Sequence, residues 1–316
     1  MHGYSVFIPG GNGQVGSYIC EELVGGGHDV TILSRESSGY GPAGVKFVKG
    51  DILDAGLLKM LVKDVDIIIH CAAQNSPAFS IQNPLLDASI NIAGTINLLD
   101  AARDSSIRRF VYFSSSAVYG EPLRLPIDEG HPQNPLSPYG VSKLSGEKYA
   151  LVFNRVYGLP ATVIRPFNIY SPREDPSRPY SSLVAKFIGR VSSGKPPIIH
   201  GDGSIARDYV SVHDVADMVL LMMEKNAATG NAFNCGNGIG TRLDDLAMMI
   251  IGLYGHDQLK PRFEPEPPGQ IRSSIADISL AKKILGYSPK IKLGEGLREI
   301  IDSKNGHQLN SPYNFV

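Results

Sequence analysis

The segment that most restricts what this chain can become is Pro9-Gly10-Gly11-Asn12-Gly13-Gln14-Val15-Gly16. It follows a short apolar run, Ser5–Ile8, and leads into a stretch of helical period, Val15–Gly25. Two glycine registers fit: Gly11, Gly13, Gly16 and Gly10, Gly13, Gly16. In either, the missing side chains let a strand turn sharply into a helix and let the backbone approach a pyrophosphate seated on the helix N-terminus. Such an opening implies a parallel sheet and a dinucleotide held at the first strand-to-helix turn, with Gln14 and Val15 beside the phosphates.

The rest of the first half agrees. Short runs rich in β-branched residues at Asp29–Leu33, Val45–Lys49, Ile67–His70, Arg109–Phe113 and Ala161–Arg165 alternate with helical patterns at Leu57–Val62, Ile90–Ser105 and Tyr139–Tyr157. That alternation is the signature of βαβ units. The expected class is α/β, a doubly wound parallel sheet that binds ligands beyond the carboxyl ends of its strands, joined to a smaller C-terminal α+β unit. Beyond Arg165, Pro166, Pro172, Pro176, Pro179, Pro196 and Pro197 break the periodicity. A helix at His213–Glu224 and a strand at Ala232–Cys235 then return to the sheet. The division expected is a dinucleotide unit of residues 1–165 plus about 208–235 and a substrate unit of 166–207 plus 236–316; a chain of 316 residues has room for both.

Charge and cysteine usage narrow the partners. With 30 Lys+Arg against 31 Asp+Glu the formal charge is −1, so neither nucleic acid nor a membrane surface is an expected partner. No apolar run nears the roughly 18 residues of a spanning helix, and the start carries no basic export region. Cys20, Cys71 and Cys235 are far apart, which suits neither a disulfide framework nor a metal knuckle, and a cytoplasmic location is expected. The eight histidines form no HExxH pattern, so no metal is expected.

The second strand ends Leu33-Ser34-Arg35. An acid there would bind the ribose hydroxyl of NAD, whereas a small polar residue followed by Arg makes room for a 2′-phosphate and neutralises it. NADP(H) is therefore expected over NAD(H), with Glu36 next in line as the opposing signal. Asp51-Ile52, after the third strand, stands where an adenine could be met, and Asp51 equally suits a turn or helix cap.

Proton-transfer chemistry is written further on. The fifth strand runs into Ser114-Ser115-Ser116, and Tyr139 and Lys143 fall at i, i+4 in a helical stretch. On one helix face the ammonium is expected to lower the phenol's pKa toward working pH. A strand-end serine would then hold the substrate oxygen whose proton Tyr139 takes.

Together these motifs resemble the extended short-chain dehydrogenase/reductases, particularly nucleotide-sugar 4-epimerases of the UDP-glucose 4-epimerase type, over nearly the whole chain. Beside the Gly10, Gly13, Gly16 loop stand His70-Cys71-Ala72-Ala73, similar to HxAA, and Asn91-Ile92-Ala93-Gly94-Thr95, similar to NxxGT. Ser115 to Gly120 resembles SxxVYG, and Arg165 to Arg173 resembles RPFNxYGPR with Ser171 where glycine is usual. Gly201 to Val210 resembles GDGxxxRDxV, and Arg272 to Asp277 resembles RxSxAD. The resemblance implies a Rossmann fold, Ser115 as the catalytic hydroxyl, and Asn91 positioning Lys143 through water. It sets Cys71, Ala72 and Ala73 against the cofactor, Asn168 on the sugar diphosphate, and Arg207 and Arg272 as guanidinium clamps. It also implies a homodimer built on the helices Ile90–Ser105 and Tyr139–Tyr157. His70 reads as strand-end packing, and Cys71 by itself as a core thiol.

The chemistry implied is epimerisation at a sugar C4: Tyr139 removes the hydroxyl proton, hydride leaves to the nicotinamide, and it returns to the other face of a 4-keto sugar. The 4,6-dehydratases of similar sequence place an Asp-Glu pair directly after the catalytic hydroxyl; here Ser116 and Ala117 occupy those positions, which disfavours dehydration. An NADPH-dependent 4-keto-sugar reductase would fit Ser34-Arg35. A non-catalytic dinucleotide sensor needs only the glycine loop, and Ser115, Tyr139 and Lys143 argue against it. Neither the nucleotide base nor the hexose is written in these motifs.

Overall fold

A computed structural model describes residues 3–37, 43–177, 181–266 and 271–304. Pro179 and the end of the expected second unit beyond 304 lie outside them. In chain order the elements are β1 Ser5–Pro9, α1 Gln14–Gly25, β2 Asp29–Ser34, β3 Lys46–Lys49, α2 Ala55–Leu61, β4 Ile67–His70, α3 Pro77–Gln82 and α4 Pro84–Ala88. A π turn, Ser89–Ala93, leads into α5 Gly94–Arg103, then β5 Arg109–Phe113, α6 Pro138–Tyr157, β6 Ala161–Pro166, β7 Asn168–Tyr170 and α7 Leu183–Ser192. The remainder is β8 Ile198–His200, β9 Ala206–Ser211, α8 Val212–Glu224, β10 Ala232–Cys235, β11 Gly240–Arg242, α9 Leu243–Leu253, β12 Arg262–Glu264, α10 Ser279–Leu285 and α11 Leu293–Lys304.

The main sheet has seven parallel strands in the order β3-β2-β1-β4-β5-β6-β10. Alternating side chains serve two cores, as the two-residue period of a strand requires. Val6 and Ile8 join Ile19, Leu23, Val215, Met218 and Val219 on one face. Phe7 joins Leu58, Leu98 and Phe153 on the other. Because both faces are covered, β4, β5 and β6 are buried at every position, and their sequences are mostly apolar, with the polar His70, Arg109, Thr162 and Arg165 buried among them. The chain builds outward from β1 to β3, then restarts at β4 beside β1, opening a crevice at the carboxyl ends of β1 and β4.

The second half adds small sheets, β11-β9-β7 and β12-β8, over a core that includes Phe187, Ile188, Leu246, Ile250 and Leu297. A further cluster, Val118, Tyr119, Ile127, Phe167 and Ala276, ties the loop between β5 and α6 to the 271–277 segment. There the Ile127 N–H donates to the Ile275 carbonyl and Asp277 N–H donates to the Ile127 carbonyl, each at 2.8 Å. Among the described residues no helix is long and apolar enough to cross a membrane.

Two local differences from the sequence reading matter for the site. Residues 77–88 hold the short helices α3 and α4, each with proline in its first turn and α3 capped by the Ser76 hydroxyl, a stretch in which the sequence patterns marked no helix. The continuous helix expected over Ile90–Ser105 opens instead as the π turn. Its cause is polar: the Thr95 hydroxyl donates back to the Asn91 carbonyl at 2.7 Å, and the Asn91 side chain is pulled toward Gln74 and Asp87.

Candidate active site

A cavity of about 720 Å³ lies beyond the carboxyl ends of β1, β2, β4 and β5. The glycine loop forms its floor through Gly10, Gly13, Gln14, Val15 and Gly16. Ser34 and Arg35 line one end, followed by Asp51 and Ile52 and then by Cys71, Ala72 and Ala73. Ser115, Tyr139, Lys143 and Asn168 line the other end. Asn12, Asn75, Glu174 and Ser182 also face it and were not singled out from sequence. Asn91, Arg207 and Arg272 are not among its lining residues.

The loop has the shape a pyrophosphate needs. Gly10 has φ +81°, and a Cβ there would meet the Ala72 nitrogen at 2.6 Å; one on Gly16 would meet the Gly10 carbonyl oxygen at 2.5 Å. Gly10 and Gly16, the outer two of the Gly10, Gly13, Gly16 register, are thus sterically obligatory. α1 starts with no side-chain cap and no acid in its first turn, so its N-terminal partial charge is left for an anion. Loop, helix terminus and elongated cavity fit a nicotinamide dinucleotide stretched from Arg35 toward Lys143. Asp51 also accepts the Leu53 N–H at 3.0 Å, so its turn role coexists with a place on the wall.

At the reactive end, α6 is started by Ser137, whose hydroxyl accepts the Gly140 N–H at 3.1 Å, with Pro138 in the first turn. Tyr139 therefore projects from the first turn. Its N–H is fixed by the Ser80 hydroxyl at 3.0 Å, and its phenol is hydrogen-bonded to Ser115. Lys143 is buried at 4 % exposure, its ammonium 4.8 Å above the centre of the Tyr112 ring. Burial pushes it down to about 8, while the charges of Cys71, Asp87 and Glu147 oppose that shift.

The phenol departs from expectation. Burial raises the Tyr139 pKa, and the Ser115 bond offsets this only in part. The predicted lowering by Lys143 is therefore corrected: spacing places the ammonium on the right helix, and desolvation of a buried phenolate outweighs it.

Asn91 is buried and donates to the Gln74 carbonyl at 2.9 Å, to Asp87 Oδ1 at 3.2 Å and to the Ser142 hydroxyl at 3.0 Å. Ser142 in turn donates to the Tyr139 carbonyl at 3.0 Å. Asn91 thus reaches the relay through the α6 backbone. His70 pairs with Thr95 at 3.0 Å and is pushed down to about 3 by burial, as a neutral packing residue would be. Asn168 donates to the Asp208 carbonyl at 2.9 Å. The Arg207 guanidinium donates to the carbonyls of Ile271 and Arg272, and the exposed Arg272 is held by its N–H to Glu121 Oε2 at 3.0 Å.

Two supports were missed. Glu147, one turn beyond Lys143, accepts from the Arg165 Nε at 3.0 Å and from the Ser114 hydroxyl at 2.8 Å in full burial; extending the i, i+4 series past Lys143 would have found it. Arg173 donates to the Ser17 hydroxyl at 2.7 Å, pairs with Glu21 and lies 4.0 Å over Tyr18, while Gln14 donates to the Ser171 hydroxyl at 3.0 Å. These bonds clasp α1 to the segment after β7. Among the described residues no group of three or more His, Cys, Asp or Glu could hold a metal.

Comparison with known proteins agrees with this geometry. The profile of the NAD dependent epimerase/dehydratase family matches residues 6–236. A UDP-glucose 4-epimerase of Mycolicibacterium smegmatis is 36 % identical over 305 residues, covering 93 % of this chain and 96 % of that one. Among solved structures, UDP-glucose 4-epimerase of Thermotoga maritima, with UDP-glucose, superposes with a TM-score of 0.91 at 34 % identity, covering 96 % and 99 % of the two chains. UDP-glucose 4-epimerase of Thermus thermophilus, in complex with NAD, gives a TM-score of 0.86 at 32 % identity with the same coverage. The preference for NADP(H) expected from Ser34-Arg35 finds no support in this company. An arginine at the rim of an adenine site can stack on the base without reading a phosphate.

Proposed function

The chain belongs to the NAD dependent epimerase/dehydratase family, and from that premise we propose that it is a nucleotide-sugar 4-epimerase of the UDP-glucose/UDP-galactose type. The observation that carries the reading is that Ser115, Tyr139 and Lys143 converge on the same cavity as the glycine loop. A bound nicotinamide supplies an acceptor and donor of hydride and, when oxidised, a positive charge. The chain's own groups handle the proton. Tyr139 takes it from the sugar 4-hydroxyl, Ser115 holds that oxygen, and Lys143 stabilises the phenolate that burial disfavours. Asn168, with Arg207 and Arg272 after rearrangement of their present bonds, would grip the diphosphate and leave the hexose free to turn between its two faces.

NAD is the cofactor we propose, with Arg35 stacked on the adenine. A reductase of 4-keto sugars is the second reading, and the open Ser34-Arg35 end is the feature that favours it. The protein is further proposed to be a cytoplasmic homodimer. In support, α6 exposes Val141, Tyr149, Val152 and Val156 along one stripe, and the adjoining α3 and α4 expose Ile81 and Leu85. The two-unit division is supported by the return of β10 to the main sheet, with α8 rather than β9 making the crossing back.

The test is mass spectrometry of the cofactor released from purified protein, followed by incubation with UDP-glucose, UDP-galactose or their N-acetyl counterparts without added cofactor. Co-purified NAD and interconversion of a C4 pair are expected. A protein inert until NADPH and a 4-keto sugar are supplied would be a reductase.

A further inference from the structure

Asp87 is 1 % exposed. Its Oδ1 accepts from the Gln74 amide at 2.8 Å and from the Asn91 amide at 3.2 Å. Its Oδ2 is buried and accepts no hydrogen bond, and Asp87 makes no ion pair among the described residues. A buried carboxylate with two neutral donors and one unpartnered oxygen is costly unless a positive charge lies within electrostatic reach. α4, which carries it, packs against α6, which carries Lys143.

The groups facing Lys143 leave few alternatives. From β4 and the turn after it come His70, kept neutral by burial, and Cys71, whose thiol burial pushes up. From β5 comes Tyr112, held neutral by burial. From α6 itself come Tyr139 and Glu147, and the charge of Glu147 is already matched by Arg165. Asp87 is the remaining acid and the one with no cation of its own. It bears on both Lys143 and Tyr139.

We infer that Asp87 is a positioning residue of the proton relay: a fixed buried charge, held by Gln74 and the π-turn Asn91, that keeps Lys143 a cation and sets the pH at which the Tyr139–Lys143 pair works. This deepens the epimerase reading and rests on it for the role of the pair. The π turn is then functional, because it is what aims the Asn91 amide at Oδ1.

The experiment uses the holoenzyme. Asp87→Asn is nearly isosteric, its Oδ1 keeping both amide donors and its Nδ2 taking the place of the unpartnered oxygen. Removing the negative charge lowers the pKa of Lys143 and of Tyr139 together. Both limbs of the kcat–pH profile should therefore move to lower pH by about one unit. The Tyr139 phenolate midpoint, read as the ultraviolet difference between proteins with Tyr139 and with Tyr139→Phe, should move likewise. Asp87→Glu, which keeps the charge, should move both back toward wild type. Should Asp87→Asn not fold, Asp87→Ser removes the charge while keeping an acceptor for Gln74, and the same shift is expected. Lower activity or melting temperature with unmoved midpoints overturns the inference. A moved phenolate midpoint in a protein that interconverts no nucleotide sugar supports the inference and overturns the epimerase reading; interconversion with unmoved midpoints does the reverse.

Discussion

The proposed relay asks Lys143 to be both buried and charged, and the two demands pull apart. In the folded chain it gives up its proton near pH 8, whereas in an unfolded chain a lysine holds it to about pH 10.4. Between those values the unfolded state binds more protons, so this group's contribution to stability rises with pH. Turnover by the proposed relay, in which Lys143 acts as the ammonium, should fall over the same window. Measured from pH 7 to 9.5, kcat is expected to decline on the alkaline side while the lysine's contribution to the denaturation midpoint, isolated against Lys143→Met, increases; kcat flat to pH 9.5 would remove the ammonium from the mechanism. Tyr139→Phe should cost about 10²–10⁴-fold in kcat and leave dinucleotide retention unchanged, checked by interconversion assays and cofactor content. Equal activity would sink the relay.

Strands and helices carry the site by a few side-chain joints. Glu147 joins α6 to β6 through Arg165 and to the loop just after β5 through Ser114, so it sets the helix bearing Tyr139 against the loop bearing Ser115. Glu147→Gln would leave Arg165 uncompensated in a dry interior and should destabilise the fold by about 3–5 kcal/mol in urea denaturation. At the other end of the cavity, a Gly16→Ala methyl would stand 2.5 Å from the Gly10 oxygen and 2.8 Å from the Gly11 Cα. Backbone cannot yield there as a side chain would, and calorimetry should find dinucleotide affinity at least about tenfold lower with the circular dichroism spectrum kept. These elements differ in how readable they were. The parallel strands were legible because burial on both faces favours apolar runs such as Ile67–Ile69. The glycine loop was legible because Gly10 and Gly16 admit nothing else. Asn91 was singled out by its motif, but its bonding to Gln74 and Asp87 was not legible, because polar bonds across 4 to 17 positions leave no apolar period to detect. Nor was the sign of the Tyr139 shift, since i, i+4 spacing places a charge and says nothing of desolvation.

At the scale of the whole molecule, the exposed stripe on α6 and the apolar faces of α3 and α4 together suit a second copy of the chain. Val152→Glu puts a charge in the middle of that stripe, and light scattering should find a monomer where the wild-type protein has twice the chain mass; a wild-type monomer at all concentrations would remove the dimer from the proposal. The departure of the chain from the main sheet after β6 was legible in the prolines after Arg165. The clasp of α1 to the segment after β7 was not, because Arg173 reaches back to Ser17 and Glu21 over more than 150 positions. The pairing of Ile127 with Ile275 and Asp277 has a consequence in time. A ribosome delivers the glycine loop first and residues 271–277 near the end, so a nascent chain through β10 has all seven strands of its main sheet while the loop between Ser115 and Tyr139 still lacks the partner segment that pins it. On the proposed reading the cofactor's cradle is therefore complete during synthesis before the loop that carries Ser115 is pinned, and the growing chain would acquire its capacity to bind well before its capacity to react.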